Sequence, residues 1–104
     1  MSLCELKRFE DAKTLLRKLM PVARRVLGES DQLTLKMRFN YARALFEDPT
    51  ATLDDLRESV TTLEDTKRIA RRVLGGANPI TEGIEDGLRD ARAALRARET
   101  PAPG

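Results

Sequence analysis

The sequence predicts an all-α fold in which four antiparallel helices stack as a short helical-repeat solenoid. Residues 23–28 read Ala-Arg-Arg-Val-Leu-Gly and return as residues 70–75, and each copy ends a long apolar pattern with a glycine. A repeat of this length indicates a unit that buries its apolar face against its neighbours. Charged residues make up 35% of the chain and aromatic residues only 4%. This balance is typical of surface-rich helices and not of a sandwich or a barrel.

Apolar residues at helical spacing predict the four helices over residues 6–27, 32–47, 53–74 and 80–98. Residues that favour helix ends mark their boundaries: Gly28, Ser30 or Asp31, Pro49, Thr52 with Asp55, and Gly75. Residues 1–98 are therefore expected to form one domain. The tail, residues 99–104, has nothing to pack and is expected to be disordered.

The residue types that most active sites and metal sites need are missing. The chain has no histidine and one cysteine, Cys4, so the usual imidazole base and metal ligand are absent and no intramolecular disulfide can form. Neighbouring acids such as Glu64 and Asp65 point about 100° apart on a helix and make no acid–base dyad. No phosphate-binding loop or nucleophile motif occurs. We therefore expect no enzyme activity, cofactor, metal or small-molecule substrate.

The charge pattern argues against nucleic acid and membranes as partners. The 19 basic and 17 acidic residues interleave, with a net charge of +2, which favours solvated helix faces. The arginine pairs 24–25 and 71–72 lie in last helical turns, where they complement the helix dipole; phosphate contact is the less favoured interpretation. No signal peptide and no run of about 20 apolar residues appears. We expect a cytoplasmic protein.

Short motifs along residues 6–95 resemble tetratricopeptide repeats of the long, kinesin-light-chain type. The pattern Phe9-Glu10-Asp11-Ala12 is similar to the opening of a second helix of such a repeat, and residues 23–28 and 70–75 to its ending. Residues 78–81 (Asn-Pro-Ile-Thr) resemble the linker into the next repeat, and residues 40–42 (Asn-Tyr-Ala) a step of a first helix. The turn at residues 48–51 is longer than the family's, so the helix pair is expected to splay differently.

The resemblance implies a non-catalytic adaptor that binds a protein or peptide on a concave surface. By position, this surface consists of Lys36, Phe39, Asn40, Arg43 and Glu47. Lys36, Asn40 and Arg43 share one helix face, and Arg43 suits bidentate contact with a carboxylate. An ordinary solvated face is the alternative interpretation of the same residues.

A structural self-association module is the rival hypothesis. The first helix lacks the partner helix that its repeat would normally supply, so part of its apolar surface is expected to stay exposed. The residues concerned are Leu6, Leu15, Leu19 and Met20. A second copy in a homodimer, or a larger helical-repeat assembly, could cover them.

Overall fold

The structure, a computed structural model, describes residues 3–99, with side chains from residue 5 onward. It contains four helices and, within this range, no strand: α1 (Leu3–Val26), α2 (Gln32–Glu47), α3 (Leu53–Val73) and α4 (Pro79–Glu99). The predicted all-α fold is confirmed. Helix α1 begins three residues before the predicted start at Leu6, and every other boundary lies within one residue of its prediction. Glu99 belongs to α4, and residues 100–104 of the predicted tail lie outside the described residues.

The sequence repeat is also a repeat of backbone geometry. Gly28 and Gly75 both have a positive φ, 94° and 87°, which a residue without a Cβ adopts at little cost. In both copies the N–H three residues later donates to the glycine carbonyl, from Asp31 at 3.3 Å and from Asn78 at 3.4 Å. The turn between α1 and α2 is therefore of the same kind as the turn between α3 and α4.

Side-chain caps define where α2, α3 and α4 begin. The Asp31 side chain accepts a hydrogen bond from the Leu33 N–H at 2.9 Å. The Asn78 side chain accepts one from the Ile80 N–H, also at 2.9 Å. Thr52 and Asp55 form the predicted capping box, each side chain accepting from the backbone N–H of the other at 3.1 Å. These bonds satisfy amide groups that have no partner inside the helix.

The apolar core lies among α2, α3 and α4. Helix α2 packs on α1, α3 and α4, whereas α1 packs on α2 alone among the described elements. The main buried apolar cluster consists of Leu35, Ala42, Leu63, Ala70, Ile84, Leu88 and Ala91. None of them comes from α1, so α1 is a peripheral layer on a three-helix core.

Small residues let α2 approach α4 closely. Gly83 and Gly87 lie one turn apart on α4 and face the ring of Phe39. A Cβ at Gly87 would stand 2.8 Å from the Phe39 Cε1 atom, whereas one at Gly83 would meet the ring at 4.0 Å. The space that these glycines leave is therefore occupied by an aromatic ring and not by the backbone of a neighbouring helix.

Candidate functional site

A groove of about 470 Å³ runs between the first half of α1 and the second half of α2. The two helices are antiparallel: Lys13 of α1 reaches Asp48 after the end of α2, and Thr34 near the start of α2 reaches the Ala23 carbonyl of α1. The groove is lined by Glu5, Arg8, Phe9 and Ala12 from α1 and by Asn40, Arg43, Ala44 and Glu47 from α2. Its lining therefore combines an apolar floor with polar and charged rims.

Helical spacing brings the polar side chains of α2 to one rim. Asn40, Arg43 and Glu47 are three and four residues apart and so fall on one face of the helix. The Arg43 Nε donates to Glu47 Oε1 at 3.1 Å, and the Arg43 guanidinium carbon lies 5.7 Å from the ring centroid of Phe39. Both Arg43 and Glu47 are solvent-exposed, so this ion pair is weak and can exchange for another partner.

Three of the five residues predicted for the binding surface line this groove. They are Asn40, Arg43 and Glu47. Lys36 is exposed one turn before Asn40 but is not among the lining residues. Phe39 faces α4 and packs against the core, because its position is about 100° around the helix from Asn40.

The α1 wall of the groove was not predicted. The resemblance to tetratricopeptide repeats placed the binding surface on α2 alone. The lining residues of α1 that were not predicted are Glu5, Arg8, Phe9 and Ala12. Phe9 and Ala12 belong to the aromatic-x-x-Ala motif, which was the available signal. The motif indicates the start of a helix, but the helix that packs beside it is set by the tertiary structure.

A buried ion pair fastens α1 to the end of α2. The Lys13 Nζ lies 2.9 Å from Asp48 Oδ2 and 2.9 Å from Glu10 Oε1, and the Lys13 and Asp48 side chains are almost completely buried. Burial alone would lower the pKa of Lys13, but hydrogen bonds to Glu10 and Asp48 outweigh it and raise this pKa. Burial alone would raise the pKa of Asp48, but hydrogen bonds from Thr50 and Lys13 outweigh it and lower this pKa. Both groups are therefore charged at neutral pH.

A second polar contact joins α1, α2 and α3. The Tyr41 hydroxyl accepts a hydrogen bond from Arg17 Nε at 3.1 Å and donates one to Glu58 Oε2 at 2.5 Å. Burial and the bond to Glu58 raise the pKa of Tyr41. Together with the Lys13–Asp48 pair, this network fixes the position of α1 and hence the width of the groove.

Of the four apolar residues predicted for self-association, Leu15 and Leu19 lie on the outer side of α1. Leu6 and Met20 are each seven residues from Lys13 and therefore share the side of α1 that faces α2. Leu15 is 56% exposed and Leu19 is 38% exposed, while Leu6 and Met20 are half-buried. Two further apolar residues extend the surface toward the end of the helix: Val22 is 44% exposed and Val26 is 69% exposed. Leu15, Leu19, Val22 and Val26 are spaced by four, three and four residues and form one row, the α1 stripe.

No cluster of carboxylates or cysteines among the described residues could hold a metal ion. The side chain of Cys4 lies outside the described residues. No helix in residues 3–99 combines the length and the apolar character that crossing a membrane requires.

Comparison with known proteins identifies a similarity in the first third of the chain. A family model described as tetratricopeptide repeat matches residues 1–32, which cover α1 and the turn that follows it. Neither the curated proteins nor the solved structures gave a significant match. Over about a third of its length the chain is therefore similar to tetratricopeptide repeats, a family that generally mediates protein–protein interaction, and its fold is a short tetratricopeptide-like helical repeat.

Proposed function

We propose that this chain is a non-catalytic scaffold that binds a protein or peptide partner in the groove between α1 and α2. The supporting observation is that Asn40, Arg43 and Glu47, predicted from the sequence to face a partner, line one groove with the apolar residues Phe9 and Ala12. An apolar floor that excludes water, surrounded by a polar rim, is the usual anatomy of a protein-binding site.

The residues of the rim define the chemistry that a partner must present. The Asn40 amide can donate to and accept from a peptide backbone. The Arg43 guanidinium can bind a carboxylate through two parallel hydrogen bonds once it leaves Glu47. Lys36, one turn before Asn40, extends the positive charge along the same face. A short peptide with an apolar side chain and a neighbouring acidic group fits this arrangement.

Site-specific photocrosslinking tests the groove directly. A photoreactive amino acid at Asn40 should capture a partner from a native lysate, whereas the same group at the exposed Asp90 of α4 serves as the matched control. Lys36→Glu combined with Arg43→Glu should reduce capture at position 40 by about tenfold or more, the effect expected for about 1.4 kcal/mol. Unchanged capture in that double variant, with the helical signal intact, would show that the groove is not the binding site.

Further details of this proposal come from the sequence resemblance. We place the scaffold in the cytoplasm and among the long tetratricopeptide repeats of the kinesin-light-chain type. The matching turns at Gly28 and Gly75 support a regular repeat of this length. An enzyme activity is not part of the proposal.

Self-association is the second candidate function, and the exposed α1 stripe supports it. Covering the stripe with a second copy would remove four large apolar side chains from water. Light scattering after size-exclusion chromatography, over a hundredfold range of concentration, distinguishes the two functions. A dimer of constant mass favours self-association, and a monomer throughout leaves the stripe free for a different protein.

A further inference from the structure

We propose that the α1 stripe binds an amphipathic helix of a partner protein, and that this helix carries acidic residues beside its apolar side. The proposal rests on the proposed function as a protein-binding scaffold and adds a second contact surface to it. The stripe consists of Leu15, Leu19, Val22 and Val26 and lies on the part of α1 that follows the groove.

The form of the stripe fits a helix. Its four residues lie within a segment of twelve residues, or about 16.5 Å at a rise of 1.5 Å per residue, and form one row over three turns. A facing helix of similar length would place its own apolar row alongside, as helices do when they pack. The side of α1 that carries Lys13 and Ala23 is already occupied by α2. The stripe is thus a separate surface on which a helix can lie without displacing α2.

The charges around the stripe select the kind of helix. Lys18 follows Leu15 by three residues and Arg25 follows Val22 by three, so both cations lie on the same edge of the stripe. Arg8, which also lines the groove, lies before the stripe and in line with Leu15 and Leu19. All three side chains are exposed. Lys18 and Arg25 form no ion pair within the described range 3–99. Asp11 is the acidic residue on that edge, one turn before Leu15.

This excess of positive charge disfavours a second copy as the occupant. In an antiparallel pair of copies the two cation edges would face one another, and like charges brought together during burial oppose association. In an antiparallel pair that sets Leu15 against Val26 and Leu19 against Val22, Lys18 would come within about two residues, or roughly 3 Å along the axis, of Arg25 of the second copy. Glutamate or aspartate on the incoming helix would instead pair with these cations.

A pair of designed peptides tests the proposal. Each has leucine at four positions with the spacing of the stripe in an alanine-rich helix; one carries glutamate at the flanking positions and the other lysine. Fluorescence anisotropy with the full chain should show the acidic peptide binding at least about tenfold more tightly, with a preference that weakens as salt is added. Lys18→Glu combined with Arg25→Glu should reverse this preference.

Matched variants separate this contact from the groove. Leu19→Gln with Val22→Gln should abolish binding of the acidic peptide, whereas Val73→Gln, which changes an exposed valine at the end of α3, should leave it unchanged. Arg43→Glu in the groove should also leave it unchanged, so failure of the groove and failure of the stripe give different results. Equal affinity for both peptides, no binding of either, or a dimer that Leu19→Gln with Val22→Gln dissociates would overturn the proposal.

Discussion

Removing the Lys13 ammonium gives the clearest test of how α1 is held. Lys13→Met keeps the apolar stem but leaves the buried Asp48 carboxylate without its cation. Losing one partner of a buried ion pair typically costs 3–5 kcal/mol in the free energy of unfolding. Asp48 still accepts hydrogen bonds from the Thr50 N–H at 2.8 Å and the Thr50 hydroxyl at 2.7 Å. We therefore expect the lower end of the range, about 3 kcal/mol.

A double-mutant cycle measured by urea unfolding separates the pair from the rest of the site. Asp48→Asn retains an oxygen that can accept from Thr50 and removes the negative charge. Combining it with Lys13→Met should cost less than the sum of the two single changes, with a difference of at least about 1 kcal/mol. Strictly additive losses, within about 0.5 kcal/mol, would refute the reasoning that the two charges stabilise one another.

The same pair predicts how stability depends on pH. Because the pKa of Asp48 is lowered in the folded protein, its contribution is present above the ordinary value of 3.8 and is lost as the pH falls through the lower folded value. Because the pKa of Lys13 is raised, its contribution is present below the ordinary value of 10.5 and is lost at higher pH. Asp48→Asn should therefore lose less stability than the wild type as the pH falls below 3.8, as followed by thermal unfolding.

Two pairs of helix substitutions give further predictions. Gly83→Ala should raise the free energy of unfolding by up to about 1 kcal/mol through helix propensity. Gly87→Ala adds a Cβ 2.8 Å from the Phe39 ring, so this variant should be about 1–3 kcal/mol less stable than Gly83→Ala. Equal urea midpoints for the two variants would contradict this. Among the described residues, the buried Thr81 hydroxyl has no hydrogen-bond partner, so Thr81→Val should stabilise by about 1 kcal/mol. Thr66→Val removes the 2.6 Å hydrogen bond from the Thr66 hydroxyl to the Thr62 carbonyl and should destabilise the protein by a similar amount. A loss of stability in both variants would show that the Thr81 hydroxyl has a hydrogen-bond partner.

Local signals in the sequence were sufficient for the helices and their ends. Gly28 and Gly75 stop helices because of backbone freedom, and Thr52 with Asp55 caps α3 through contacts three residues apart. Such features depend on near neighbours in the chain. They can therefore be read without knowing how the helices pack.

The candidate site depended on contacts between distant residues and was predicted only in part. Helical spacing put Asn40 and Arg43 on one face of α2, but it could not show that Phe39 would turn toward Gly87 on α4. No local signal marks Lys13 as a buried cation, because its partner Asp48 follows 35 residues later. A buried charge becomes predictable only when the opposite charge is known to lie beside it.

The position of α1 on one side of the core has a consequence for the energetics of the whole fold. Among its described side chains only Lys13 and Ala23 are buried, and of the three other described helices α1 packs on α2 alone. Opening this helix therefore requires less free energy than unfolding α2, α3 and α4. Amide hydrogens of α1 should exchange with deuterium well before those of α3, and urea unfolding followed at α1 should precede unfolding followed at α3. The chain would then have two stabilities, one for its first helix and one for the rest.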